Sequence, residues 1–134
     1  NSIMVGIMSQ KGNIHLNIGK PLTSEEIADA ALCDKNDRYQ KIRHAVDIRV
    51  IEGYKLWKNN YIAYDIANHS FKYSDKYDAA DVEKFVAYME HQLDTVEPEV
   101  NRDDLRRVFL DIYANSVVTK ELLEKERITG GILL

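Results

Sequence analysis

The sequence predicts a mainly α-helical chain with a small β element at its front, an α+β class. Three observations carry this. Residues 23 to about 94 and 101 to about 128 hold apolar residues at spacings of three and four. Ile14, Leu16 and Ile18 alternate strictly with His15 and Asn17, the period of a half-buried strand. Prolines number only two, Pro21 and Pro98, and both fall between the periodic segments.

Taken in order, Ile3–Met8 is an apolar run that reads as a first short strand. Ser9-Gln10-Lys11-Gly12-Asn13 reads as a turn, and Gly19-Lys20-Pro21 stops the second strand, Ile14–Ile18. Thr23-Ser24-Glu25-Glu26 is a capping box that starts a short helix to about Leu32, with Thr23 as N-cap and Glu26 reaching back. After a polar connector at 34–37, a helix over about 37–57 places Tyr39, Ile42, Val46, Val50, Tyr54 and Trp57 on one stripe. Asn59-Asn60 interrupts it, and 61–67 continues as a turn or two of helix. Residues 68–77 are polar and aromatic, a loop. Asp78 caps a helix over about 79–94 with Val82, Phe85, Val86, Met89 and Leu93 inward. Asn101 caps a last long helix, its first turn carrying Asp103 and Asp104 where the helix dipole favours them. The expected inward stripe is Leu105, Val108, Phe109, Ile112 and Val117. The tail from Thr129 to Leu134 reads as loose.

Composition narrows the function. At 134 residues the chain suits one domain. Apolar residues at 45% and charged residues at 30% are an ordinary globular balance. No run approaches the ~20 apolar residues of a membrane-spanning helix. The first residues have no basic stretch or cleavage site of a signal peptide, and the absent initiator Met reads as an excised piece of a longer protein. A single cysteine, Cys33, excludes an internal disulfide framework and a cysteine-based zinc site. The net charge of −4 argues against a nucleic-acid partner.

A motif scan is largely negative. GxGxxG, GxxxxGK[ST], HExxH and GxSxG are all absent, so neither a nucleotide cradle nor a nucleophile elbow is present. No metal site or cofactor is expected. Cys33 has no histidine near it in sequence and reads as a small buried apolar group. His44 with Asp47, and Glu90-His91 with Asp94, have helical spacings that hold a metal or an acid–base pair in other settings. Here local surface hydrogen bonds are the simpler reading. His15 lies on the polar face of its strand. Arg102, Arg106 and Arg107 form a basic cluster, but Asp103, Asp104 and Asp111 around it make a charge-balanced helix face.

The aromatic stretch 54–65 carries more. Tyr54, Trp57, Tyr61 and Tyr64 are spaced by three, four and three, with Lys55 and Lys58 beside them. On a continuous helix these six residues form a stripe suited to a membrane interface or a partner surface. The competing reading places the rings in the core. Because Tyr54 and Trp57 prolong the period of Ile42, Val46 and Val50, the core reading is favoured for Trp57.

Two segments resemble a known family. Gly12-Asn13-Ile14-His15-Leu16-Asn17-Ile18-Gly19-Lys20-Pro21-Leu22 is similar to the G-x-[IV]-x-[IVL]-x-[IVF]-G-x-P-[IL] strand and turn that close the core of 1-acylglycerol-3-phosphate acyltransferase-like enzymes. Tyr54-Lys55-Leu56-Trp57-Lys58-Asn59-Asn60-Tyr61-Ile62-Ala63-Tyr64-Asp65 looks like a Y-K-L-W-x-x-N-Y-I-A-Y-D stretch in the tail of a bacterial branch, and residues 3–12 are similar to its lead-in. The resemblance covers roughly residues 3–65.

It implies a region of an α/β enzyme that moves an acyl group from a thioester donor to a glycerolipid-type acceptor in phospholipid synthesis. In that family a His-x4-Asp motif supplies the base and its orienting carboxylate. The motif is absent: five residues after His15, His44, His69 and His91 stand Lys20, Arg49, Ser74 and Val96. No catalytic residue is therefore carried over. The chain is expected to be a non-catalytic C-terminal region, with 1–22 as the last core strand and its lead-in and 23–134 as a helical extension packed into one unit with it. The donor and the lipid acceptor would be held by an N-terminal part. The expected setting is cytoplasmic, peripheral on the inner membrane, with a homodimer as a further partner. The alternative is an independent helical interaction or oligomerisation module without activity.

Overall fold

The computed structural model describes residues 3, 4, 8, 12–96 and 99–130. The chain is mainly helical, as the periodicity predicts. Five α-helices of at least one full turn lie beyond residue 23: α1 (Ser24–Ala31), α2 (Lys35–Glu52), α3 (Lys58–Ala67), α4 (Ala79–Leu93) and α5 (Arg102–Gly130), with a 3-10 turn at Ser74–Lys76 between α3 and α4.

The starts of α1, α4 and α5 are set by the capping side chains that the sequence indicates, whereas α2 begins at Lys35, inside the stretch 34–37 expected as a connector. Thr23 and Glu26 form the reciprocal capping box of α1, at 2.8 and 3.1 Å. Asp34 accepts the Asp37 N–H to open α2. Asp78 does the same for Asp81 at α4. The Asn101 carboxamide oxygen accepts from the N–H groups of Asp103 and Asp104 at α5. Helix α3 has no Ser, Thr or Asp cap. There the Asn60 side chain reaches back to the Trp57 N–H at 2.7 Å.

The core lies between α3, α4 and the middle of α5. Ile62 and Ala63 pack with Phe85, Met89, Leu93, Leu110 and Ala114. Phe85 meets Tyr113 edge to face, with ring centroids 5.4 Å apart. The expected α4 stripe is therefore correct. On α5 the expected Leu105 and Phe109 pack on the core and Val117 is buried, but Val108 and Ile112 are exposed, and Leu110, Ala114 and Leu123 are buried instead. The long helix turns its Leu110–Ala114 side to α3, and the 105–112 pattern alone does not distinguish two adjacent faces that are both apolar.

The long stripe on α2 is corrected. The helix stops at Glu52, with Gly53 as its C-cap, so Tyr54 and Trp57 do not continue it. No residue of α2 is buried, and Tyr39, Val46, Val50 and Tyr54 are all exposed. Helix α2 is joined to α1 by the Glu26 carboxylate, which takes the Arg49 guanidinium at 2.7 and 2.8 Å. Its C-terminus is tied to α5 by the Glu52–Arg127 ion pair.

The small β element is not formed among the described residues. Ile3, Met4 and Met8 are helical, the rest of 1–11 lies outside the described residues, and 12–23 is irregular. Among the described residues, no backbone group of residues 13–20 has a backbone hydrogen-bond partner. A strand needs a neighbour to complete its ladder, and no second strand is present among the described residues to supply one. Of the loose tail expected at 129–134, Thr129 and Gly130 belong to α5. Pro98 and residues 131–134 lie outside the described residues.

Candidate functional site

Gly53 ends α2 with no side chain, and residues 53–57 connect it to α3. The irregular segment 12–22 runs beside this connection. Asn17 lies directly on Gly53: a Cβ there would sit 2.0 Å from the Asn17 side-chain nitrogen. The space enclosed is an open cleft of about 650 Å³. Val46, Val50, Leu56 and Trp57 give it an apolar wall, and Lys20 and Lys55 stand at its polar side. His15 and Asn17 face it from the segment.

The charge of this cleft is one-sided. Its lining includes Lys20, Arg49 and Lys55 but no carboxylate, in a chain whose net charge is −4. Arg49 is committed to Glu26 and to the Ala45 carbonyl at 2.7 Å. Lys20 and Lys55 make no ion pair among the described residues; Lys55 Nζ instead lies 4.4 Å from the Trp57 ring centroid. Glu26 is held below the usual glutamate range by the Arg49 bond, so it stays ionised and keeps that guanidinium neutralised.

Of the six aromatic and basic contact residues expected from the sequence, the structure brings together three. Tyr54, Lys55 and Trp57 line the cleft. Trp57 is half-buried and lies outside the core, because the break at Gly53 removes it from the α2 period. Tyr61 and Tyr64 pack instead on Tyr73, with ring centroids 5.0 and 5.3 Å away. Lys58 pairs with Asp81 at 2.6 Å on a separate surface. The single stripe is thus a cleft group within the α2–α3 connection, a second cluster around Tyr73, and the separate Lys58–Asp81 pair.

The second cluster has a structural centre that sequence reasoning missed. Asp65 is 3% exposed, and its carboxylate accepts from Ser70 Oγ (2.5 Å), the Tyr73 N–H (2.9 Å) and the Tyr77 hydroxyl (2.8 Å). Burial and that bond raise the Tyr77 phenol to about 12. Glu121 on α5 takes Lys72 and the Tyr73 hydroxyl. Burial opposes its charge, but these two partners outweigh burial and hold the carboxyl below its ordinary range. The signal in the sequence was one carboxylate inside the otherwise apolar run Ile62–Ala67. The arrangement closes the 68–77 loop and presents no free nucleophile or base.

The remaining sequence candidates are surface groups. Asp47 pairs with Arg43 at 3.8 Å rather than with His44. Glu90 on α4 binds Arg102 and Arg106, and Asp94 on α4 binds Arg102; of the three aspartates expected to balance the cluster, only Asp103 pairs, with Arg106, among the described residues. Cys33 is a half-buried free thiol whose sulfur lies 3.7 Å from the Asp29 carbonyl. No cluster of three metal-ligating side chains occurs among the described residues, and no described helix is long and apolar enough to cross a membrane. No family model, no curated protein and no solved structure matches the chain.

Proposed function

We propose that this chain is the non-catalytic C-terminal region of an acyltransferase that acylates a glycerolipid-type acceptor in phospholipid synthesis. The observation that carries the reading is the segment 12–20. His15 and Asn17 line the cleft but are exposed like the rest of 12–20; Ile14, Leu16 and Ile18 are 80%, 82% and 88% exposed, and the backbone beside them is unpaired among the described residues. Such a segment is a strand awaiting a sheet. Its residues are those that resemble the closing core strand of the acyltransferase fold. In this reading residues 12–22 complete an α/β sheet that also carries the His-x4-Asp motif, and the thioester donor and lipid acceptor bind that part. Helices α1–α5 are the extension beyond it, at the cytoplasmic face of the inner membrane.

The test is acyl transfer by the longer protein carrying these residues, with and without 23–134. Turnover that falls on deletion supports the reading. Absence of acyl transfer by the intact longer protein overturns it.

The second reading is an independent helical interaction or oligomerisation module. It is favoured by the exposed Tyr39, Val46 and Val50 on α2. A two-fold dimer that Tyr39→Glu converts to monomer, seen by light scattering on the chain alone, would favour this reading.

A further inference from the structure

The cleft at the α2–α3 turn combines three features. Its wall is apolar, through Val46, Val50, Leu56 and Trp57. Its free charges, Lys20 and Lys55, are both positive. Its lining contains no carboxylate, although acidic residues outnumber basic ones, 22 to 18, in the chain. Glu26 on α1 and Glu52 at the end of α2 are engaged by Arg49 and Arg127. A small neutral metabolite would leave the lysines without a partner, and a simple inorganic anion would leave the apolar wall wet. A ligand that satisfies both is apolar over most of its length and anionic at one end.

We propose that this cleft binds a single-chain amphiphile with an anionic head, taken as a monomer from solution. The head, a carboxylate or a phosphate monoester, lies between Lys20 and Lys55. The chain lies along Val46, Val50 and Trp57. The volume of about 650 Å³ falls within the ~300–1,000 Å³ of small-molecule sites. Lys55 over the indole then does two things: it positions its ammonium at the mouth and covers one face of the ring. Asn17 against Gly53 holds the segment that forms the opposite side. The proposal rests on the cleft alone and does not depend on the acyltransferase reading.

The test uses the intact chain and its one tryptophan, Trp57. Laurate and dodecyl phosphate are titrated below their aggregation concentrations, with dodecyltrimethylammonium and inorganic phosphate in parallel. A saturable blue shift of Trp57 emission is expected with the two anionic amphiphiles and not with the cationic one or with phosphate. Lys20→Glu and Lys55→Glu should each weaken binding about tenfold, the size of one charge-assisted contact. Both lysines are exposed, so circular dichroism should be unchanged. Equal binding of the cationic amphiphile, no saturable response to either anionic one, or a response to anionic vesicles alone would each overturn the proposal. The last of these would make the surface a membrane contact. The relative affinity for laurate and dodecyl phosphate identifies the head group.

Discussion

The side chain of Asn17 occupies the space that a Cβ on Gly53 would need, with the amide nitrogen 2.0 Å from that position. This contact, with the Arg49 hydrogen bond to the Pro21 carbonyl, holds an otherwise irregular segment against the end of α2 and shapes one side of the cleft. Gly53 has an ordinary right-handed backbone, φ −73°, so conformation does not require glycine there. Close approach does. Gly53→Ala is therefore expected to leave the melting temperature unchanged or slightly raised, since alanine gains about 0.5–1 kcal/mol over glycine in helical backbone. The same substitution should expel Asn17 and expose 12–20 to limited proteolysis. A variant with unaltered proteolysis would show that the contact does not hold the segment.

Asp65 organises the loop 68–77 with three donors on one buried carboxylate. Asp65→Ala should cost about 2–4 kcal/mol, because it leaves those donors without an acceptor inside the protein. Asp65→Asn keeps one acceptor oxygen and should cost less. Chemical denaturation measures both, and equal losses would mean that the one oxygen kept by Asn replaces none of the carboxylate's bonds.

His69 has φ 49°, in the left-handed region, just beyond the end of α3. Its N–H bonds the Ile66 carbonyl and the Ser70 N–H bonds the Asp65 carbonyl, a Schellman motif with histidine where glycine is usual. His69→Gly is expected to stabilise the chain by about 1 kcal/mol, by relieving the Cβ against its own backbone. An unchanged or lowered midpoint in denaturant would contradict this.

Stability should be flat across neutral pH and fall at both ends. Arg49, Lys58 and the Arg102–Arg106 pair hold Glu26, Asp81 and Glu90 below their ordinary values of 4.5, 3.8 and 4.5. A depressed carboxylate contributes stability above its unfolded value and loses it as pH falls through its folded one, so the acid loss begins below about pH 4.5. Burial raises Tyr77 and Tyr113 from 10.0 to about 12. A raised phenol contributes fully below pH 10 and loses its contribution between about 10 and 12. Melting temperature against pH checks both limbs, and Tyr77→Phe should flatten the alkaline one.

The sequence made the helices legible where local chemistry decides them. Thr23, Asp78 and Asn101 mark helix starts because a capping side chain acts within three residues. Asp34 caps α2 in the same way, although its polar surroundings at 34–37 read as a connector. The sequence made the α4 face legible because Phe85, Met89 and Leu93 have a single apolar side. The stripe from Tyr39 to Trp57 misled because periodicity does not register a helix end. Gly53 breaks the period, and its close approach to Asn17 is a tertiary contact across more than thirty residues. The cleft was half legible: Tyr54, Lys55 and Trp57 stand in it, but Lys20 and His15 come from that same distant segment. The alternation of Ile14, Leu16 and Ile18 predicts a strand, yet every residue of 12–20 is exposed and the segment is irregular. A strand also needs a neighbour, which lies outside any local pattern.

The central claim is that residues 12–22 complete a sheet supplied by a catalytic part. Amide hydrogen exchange at Ile14–Ile18 tests it most directly, measured in the isolated chain and in the longer protein. The account predicts fast exchange in the isolated chain, where these amides have no described backbone partner, and strong protection in the longer protein, where each second amide enters a ladder. Fast exchange in both would contradict it, and would leave the segment as an exposed surface of a helical module.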